Sequence, residues 1–308
     1  MTDYKKLIVV LFSGHVGSSW FTSLLANHPS ISQIGFEPVD DLTENGMAAK
    51  PYFERLIAGE KLDSFPTNVA KLFQKKTKSP HDTPQNAWDI ENPETCQYFI
   101  FKTRLNLSVQ LDFFRDFLPR ENPTLILLRR RNKIKNAISQ YKRAQLKLTH
   151  LENFEQTKSK RLPIVLDPAY IHRQAIQFTL RELRLKHYCA FLNEHFGINC
   201  IEVYYEDLLS SDTRSSLFNS IFMTLGLTNS HLHSRYEKMT SNLLSEAVTN
   251  YSELSNLISK TDFAPYLVDD DYDIVDEIYS GQLMFPPALN DTEIRFLESL
   301  RELSLSET

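Results

Sequence analysis

The sequence predicts an α/β fold of three layers, a central and mostly parallel sheet flanked by helices. Three observations predict it. Residues 7–12, LIVVLF, are a continuous β-favouring run of the kind found in strands buried on both faces. Similar short runs recur at 98–102, 124–128 and 200–204. Segments with helical spacing separate them, and such alternation implies a parallel sheet with helices on both sides.

Taken in order, the first strand runs into a Gly- and Ser-rich stretch at 13–19, and residues 20–27 then read as a helix. Residues 40–95 are mixed and polar, with helical pieces near 52–57 and 69–75 and a loop around His81, so they read as an insertion. A short helix is expected at 111–117, stopped by Pro119. After the strand at 124–128 comes a helix over 133–145, with apolar spacing at Ile134, Ala137, Ile138 and Tyr141. Residues 146–166 read as a surface insertion, and 170–196 as a long helix. The last strand leads to a helix over 217–225, and an acidic stretch at 269–277 precedes a closing helix over 293–303. A single domain of 308 residues accommodates all of this.

Composition narrows the classes of function. A hydrophobic share of 42% with 20 Phe furnishes a large core, and 8 Gly with 14 Pro exclude low-complexity material. The net charge of -5 offers no overall basic field for nucleic acid. Cys96, Cys189 and Cys200 are widely spaced and form no CxxC pair, which points to reduced thiols and no structural metal. The apolar run at the N-terminus is too short for a signal peptide, and no stretch approaches the ~20 residues of a membrane span. The expected location is cytoplasmic, with no integral membrane segment.

Two segments carry the chemistry. The first is SGHVGSSW at 13–20, between a buried strand and a helix. Glycines at 14 and 17 let backbone approach an anion, the first helical amides point at it, and the Ser18 and Ser19 hydroxyls add donors. A Walker A loop requires Lys after the second Gly, whereas Ser18 follows Gly17 here, which disfavours ordinary ATP or GTP hydrolysis. A tight strand-to-helix turn is the plain alternative. The second segment is LILLRRRNKIKNAIS at 125–139. From Arg129 to Lys147 there are eight basic residues and no acidic one, a local positive field suited to a phosphate. A solvated basic helix face, or a nucleic-acid patch, would show the same composition.

These segments resemble those of sulfotransferases that use 3'-phosphoadenosine-5'-phosphosulfate (PAPS), whose fold is P-loop-like. The resemblance matches Gly14, Gly17, Ser18 and Ser19 to the 5'-phosphosulfate cradle and Trp20 to an aromatic near the adenine. It also implies that Arg131, with Ser139 eight residues later, binds the nucleotide's 3'-phosphate. YYEDL at 204–208 resembles a further block of the family, which places Tyr205 on the adenine side and leaves Glu206 and Asp207 to cap the next helix. Residues 244–254 resemble a late segment of bacterial members. His15 stands where the family usually has Lys or Arg, the cation at the leaving phosphate.

The resemblance also bears on the proton acceptor. Cytosolic members carry Lys-Thr-His at the end of the second strand, and Lys102-Thr103-Arg104 stands there. Lys102 can contact the sulfuryl group, but Arg104 cannot take a proton. IGFEP at 34–38 resembles the Glu-Pro of carbohydrate-type members, so Glu37 is the expected base. Its alternative is a structural carboxylate paired with Arg104 or one of Arg129, Arg130 and Arg131. The implied co-substrate is PAPS without a metal, and the implied acceptor is a carbohydrate, glycolipid or small-molecule alcohol. Lys158, Lys160 and Arg161 would then border the acceptor. A P-loop nucleotide kinase, a catalytically impaired nucleotide-binding protein and a nucleic-acid binder are the competing readings.

Overall fold

The computed structural model describes residues 5–34, 37–40, 48–58, 96–105, 110–146, 163–230 and 243–268. Strands β1 (Lys6–Phe12), β2 (Ile31–Gln33), β3 (Tyr98–Thr103), β4 (Thr124–Arg129) and β5 (Cys200–Tyr204) form one sheet. All its pairings are parallel and its order is β2-β3-β1-β4-β5. The helices are α1 (Ser18–Leu25), α2 (Ala49–Ile57), α3 (Leu118–Glu121), α4 (Lys133–Leu146), α5 (Pro168–Phe196), α6 (Ser211–Thr224), α7 (Leu244–Ala247) and α8 (Tyr251–Ile258).

Strand periodicity divides β1 between two cores. Leu7, Val9 and Leu11 face a layer containing Phe53 of α2 and Leu185 and Leu192 of α5. Ile8, Val10 and Phe12 face Phe21 of α1 and Phe218, Ile221 and Phe222 of α6. Each such side chain contributes about 1.5–3 kcal/mol on full burial, which is why β1 has no polar position between Leu7 and Phe12. A third core joins α4, α5 and α8 through Ile134, Ala175, Phe178 and Leu254.

The connections locate the site. The chain leaves β1 into α1 on one face and returns by β2 and β3, whereas it leaves β4 for α4 and α5 on the opposite face. The exits of β1 and β4 therefore diverge although the strands are neighbours, and ligands of open parallel sheets bind in such a crevice.

Several boundaries depart from expectation. β2 is an edge strand of three residues, too short to leave a pattern. Pro119 does not stop the helix before it: a π-helical turn over Phe113–Phe117 passes into α3, which ends at Asn122 with φ 44°. Pro119 follows that turn, at the second residue of α3. α6 begins at Ser211, six residues before the expected start, because its first turns are exposed and polar. α5 is capped by Asp167, whose carboxylate accepts from the Ala169 amide at 2.9 Å, and closes on Gly197 at φ 65°. None of the cysteines forms a disulfide. No helix among the described residues is long and apolar enough to cross a membrane. His81, Lys158, Lys160, Arg161 and the expected helices at 69–75 and 293–303 lie outside the described residues.

Candidate active site

The loop leaving β1 is shaped by backbone. Gly14, His15 and Gly17 all have positive φ, at 109°, 54° and 74°. Gly17 also lies flat against Tyr205: a Cβ there would sit 2.6 Å from the Tyr205 ring. Only glycine fits. The turn delivers Ser18 and Ser19 as the first residues of α1, a helix with no acidic residue in its first turn, so its unpaired amides remain available to an anion. Trp20 meets Tyr205 edge to face at 6.0 Å, and the Arg214 guanidinium lies 5.8 Å from the Trp20 ring.

The end of β3 brings a cation to this loop. Lys102, 2% exposed, donates to Ser19 Oγ at 2.7 Å, to Ser18 Oγ at 3.4 Å and to Glu37 Oε1 at 3.1 Å. Burial lowers its pKa, and the Glu37 carboxylate opposes the shift. Arg104 bridges two carboxylates, Glu37 at 3.4 Å and Asp40 at 3.2 Å, so the pairing of Glu37 with Arg104 is present. Burial alone would raise the pKa of Glu37, but Lys102, Arg104 and Arg143 together hold it below the usual carboxylate value. Asp40 goes the other way: burial and the charge of Glu37 push it up to about 6 against the pull of Arg104.

The surroundings of His15 disfavour its charged form. Burial, reinforced by the charges of Arg143, Arg104 and Arg130 and opposed by Glu37, brings its pKa down to about 4. The imidazole is neutral at pH 7, and its ring meets Phe178 of α5 edge to face at 6.2 Å. With its amide nitrogen toward the loop, Asn136 of α4 donates to the carbonyls of Gly14 at 3.2 Å and His15 at 2.7 Å. Ser139 follows Asn136 by three residues on the same helix and is half-buried.

The basic stretch after β4 is held by carboxylates. Glu182 of α5, 1% exposed, accepts from Ser13 Oγ at 3.3 Å, Arg129 Nε at 3.2 Å, the Arg130 amide at 3.4 Å and Lys133 Nζ at 2.6 Å. Glu206, fully buried, accepts from the amides of Arg131 at 3.0 Å and Asn132 at 3.3 Å. Asp207 takes the Arg131 guanidinium through two bonds, 2.7 and 3.2 Å. Glu206 and Asp207 thus clamp the β4–α4 turn and do not cap the next helix as expected. Asn132 caps α4 instead, accepting from the Lys135 amide at 2.9 Å. Arg129, Arg130, Lys133, Lys135 and Lys142 are buried, so the run is not a solvated basic face.

The three arginines separate. Arg129 turns to Glu182, Glu202 and the Tyr204 hydroxyl. Arg131 stacks 4.1 Å from the Tyr204 ring while it pairs with Asp207. Arg130 sends its guanidinium to 4.8 Å from the Tyr205 ring, the ring that rests on Gly17. Its Nε is buried without a hydrogen bond, with a Glu206 oxygen at 3.9 Å. Of these three arginines, Arg130 meets the ring that rests on the loop after β1, and Arg131 meets the Tyr204 ring of β5.

The crevice gathers Gly14, His15, Gly17, Ser18, Ser19, Trp20, Tyr205, Lys102, Glu37 and Arg104. Sequence reading missed Glu182, Asp40 and Arg143, and Glu182 carries no local signal because it is one charge among many on a long helix. Among the described residues, no group of three or more His, Cys, Asp or Glu side chains is placed to hold a metal ion.

Residues 105–252 match the Stf0 sulphotransferase family. The matched segment runs from before α3 to the first residues of α8 and includes Arg131, Ser139 and Tyr205, while Glu37, Lys102, Arg104 and the loop after β1 precede it. The crystal structure of a sulfotransferase from Alicyclobacillus acidocaldarius is similar at 12% sequence identity with a TM-score of 0.40, over 85% of this chain and 94% of that one. No curated protein matches the chain in sequence.

Proposed function

We propose that the protein transfers the sulfuryl group of PAPS to the hydroxyl of a carbohydrate, glycolipid or small-molecule alcohol, with Glu37 as base. One observation carries this reading: a single buried ammonium, Lys102, joins the anion-type loop at Ser18 and Ser19 to the carboxylate of Glu37. An anion receptor and a base then lie within hydrogen-bonding distance of one cation, as in-line group transfer requires.

The loop after β1 receives the 5'-phosphosulfate through α1 amides and the two serine hydroxyls. Trp20 and Tyr205 flank the base, and Arg131 with Ser139 serves the 3'-phosphate, with Arg130 as an additional donor. The buried Nε of Arg130, which has no hydrogen bond, and the absence of acid in the first turn of α1 suit such an anion. The acceptor oxygen attacks sulfur while the bond from sulfur to the bridging phosphate oxygen breaks. The hydroxyl proton passes to Glu37, and the products are a sulfate ester and 3',5'-bisphosphoadenosine. Lys102 supplies the charge that the neutral His15 does not, next to the transferring group. As Lys102 turns to sulfuryl oxygens, Glu37 loses part of the stabilisation of its charge and becomes a stronger base. Lys102 and the neighbouring guanidinia supply the field for this transfer, so the reading assigns no step to a metal.

Transfer of labelled sulfate from PAPS to an acceptor panel tests the reading, with Glu37→Gln expected to lower turnover ~10²–10⁴-fold while 3',5'-bisphosphoadenosine affinity changes little. Full turnover in that variant removes Glu37 as base. Calorimetry with the bisphosphate against AMP, magnesium-ATP and DNA tests the donor, and AMP binding as tightly as the bisphosphate removes the 3'-phosphate pocket.

A further inference from the structure

Beyond Glu37, the α5 side of the crevice carries the guanidinia of Arg104 and Arg181. Phe178 of α5 touches the loop after β1: a Cβ on Gly14 would lie 3.5 Å from its ring, and His15 meets it edge to face. One turn further along α5, the exposed Arg181 places its guanidinium carbon 5.6 Å from the same Phe178 ring centroid. Arg181 has no hydrogen bond or ion pair among the described residues, and Arg104 and Arg184 lie close enough for their charges to be felt there. The nearby acids are committed: Glu37 has Lys102 and Arg104, and Asp40 has Arg104. Glu182, the next residue, points inward to Arg129 and Lys133.

The nucleotide does not account for Arg181. Trp20, Tyr205 and Arg130 border the crevice on the α1 side, whereas Arg181 packs on Phe178 of α5, the ring that His15 meets, and feels the charge of half-exposed Arg104. A guanidinium stacked on an aromatic ring, without a carboxylate partner and open to solvent, keeps its planar fork ready for an anion.

We infer that the acceptor is an anionic alcohol, bearing a carboxylate or a phosphate or sulfate ester close to the hydroxyl that is sulfated, and that Arg181 together with Arg104 binds this group. The inference rests on the sulfotransferase reading above and names the class of its acceptor. Substrate charge would be matched before transfer by Arg181, so discrimination against neutral alcohols arises mainly in binding.

Calorimetry on the full chain saturated with 3',5'-bisphosphoadenosine tests this without knowledge of the natural acceptor. The probes are glucose, glucuronate and glucose 6-phosphate, which share a ring and differ in charge. At least one charged sugar is expected to bind about tenfold or more tightly than glucose. The gap should close in Arg181→Ala, survive in part in Arg181→Lys, and shrink with added salt, while bisphosphoadenosine affinity in Arg181→Ala stays within about twofold of the parent. Which charged sugar gains more tells carboxylate from phosphate recognition. Equal binding of all three sugars, or a gap that persists in Arg181→Ala, overturns the inference and leaves the sulfotransferase reading intact. Loss of bisphosphoadenosine affinity in Arg181→Ala also overturns it, because the cation would then belong to the nucleotide. Failure of the parent protein to take up bisphosphoadenosine at all sinks the underlying reading, and this inference with it.

Discussion

The two loops that face each other across the crevice are built from opposite materials. The loop after β1 is held by backbone conformation: two glycines and a histidine at positive φ, with Gly17 pressed against Tyr205. The turn after β4 is held by buried charge, with Glu182 gathering Ser13, Arg129 and Lys133, and Glu206 and Asp207 clamping Arg131 and Asn132. Glu182 also ties the two loops together, since it bonds Ser13 at one and the Arg130 amide at the other. A site for a small anion thus needs close backbone on one side, whereas a dense cluster of cations needs acids drawn from distant chain to keep it folded.

The sharpest way to break this comparison is Glu182→Gln. Removal of a buried partner from two cations is expected to destabilise by about 3–5 kcal/mol in urea titration. A cost near that of a surface change would mean that the turn after β4 is not held by charge. Next in size, Arg131→Ala should weaken 3',5'-bisphosphoadenosine by ~100-fold, about 2.8 kcal/mol, and leave AMP almost unaffected. Arg130→Ala, measured in the same calorimeter, ranks the two guanidinia, and the greater loss at 130 would transfer the 3'-phosphate role to that residue.

Gly17→Ala tests the other side. The strained φ and the 2.6 Å approach to Tyr205 are expected to cost about 1–3 kcal/mol of stability, read as a shift of the urea midpoint at constant slope. Tyr205→Ala in the same background should return part of it, because the clash is then removed. The smallest effect concerns pH. The folded pKa of His15, about 4, lies below that of the unfolded chain, so the unfolded state binds the extra proton between about pH 4 and 6.5. The stability from this residue is complete above pH 6.5 and is lost as pH falls toward 4. Asp40, raised to about 6, has the opposite sign: the folded state holds the extra proton between about pH 4 and 6, and its contribution is lost as pH rises through that window. His15→Asn should therefore flatten the fall in stability on acidification by on the order of 1 kcal/mol, and Asp40→Asn should steepen it, as measured by urea unfolding at pH 5 and 7.

What the residues determine by themselves is local. Continuous apolar runs such as LIVVLF commit β1 to a doubly covered sheet, and glycines at 14 and 17 ahead of two serines commit the next turn to a close, amide-rich approach. The spacing of Ile134, Ala137 and Ile138 likewise commits α4 to the core it shares with α5. These features depend on neighbours within a few residues, so periodicity and backbone chemistry reveal them. Tertiary structure alone decided which charges meet. Glu182 and Arg129 are 53 residues apart, Lys102 and Glu37 are 65 apart, and Arg131 and Asp207 are 76 apart. It also decided that His15 is neutral and that Arg129, Arg130 and Arg131 point to three different partners, outcomes set by burial and by surrounding charge. Coulomb energy depends on distance in space and on the dielectric between groups, and neither is encoded in the order of residues along the chain until the sheet has brought its strand ends together.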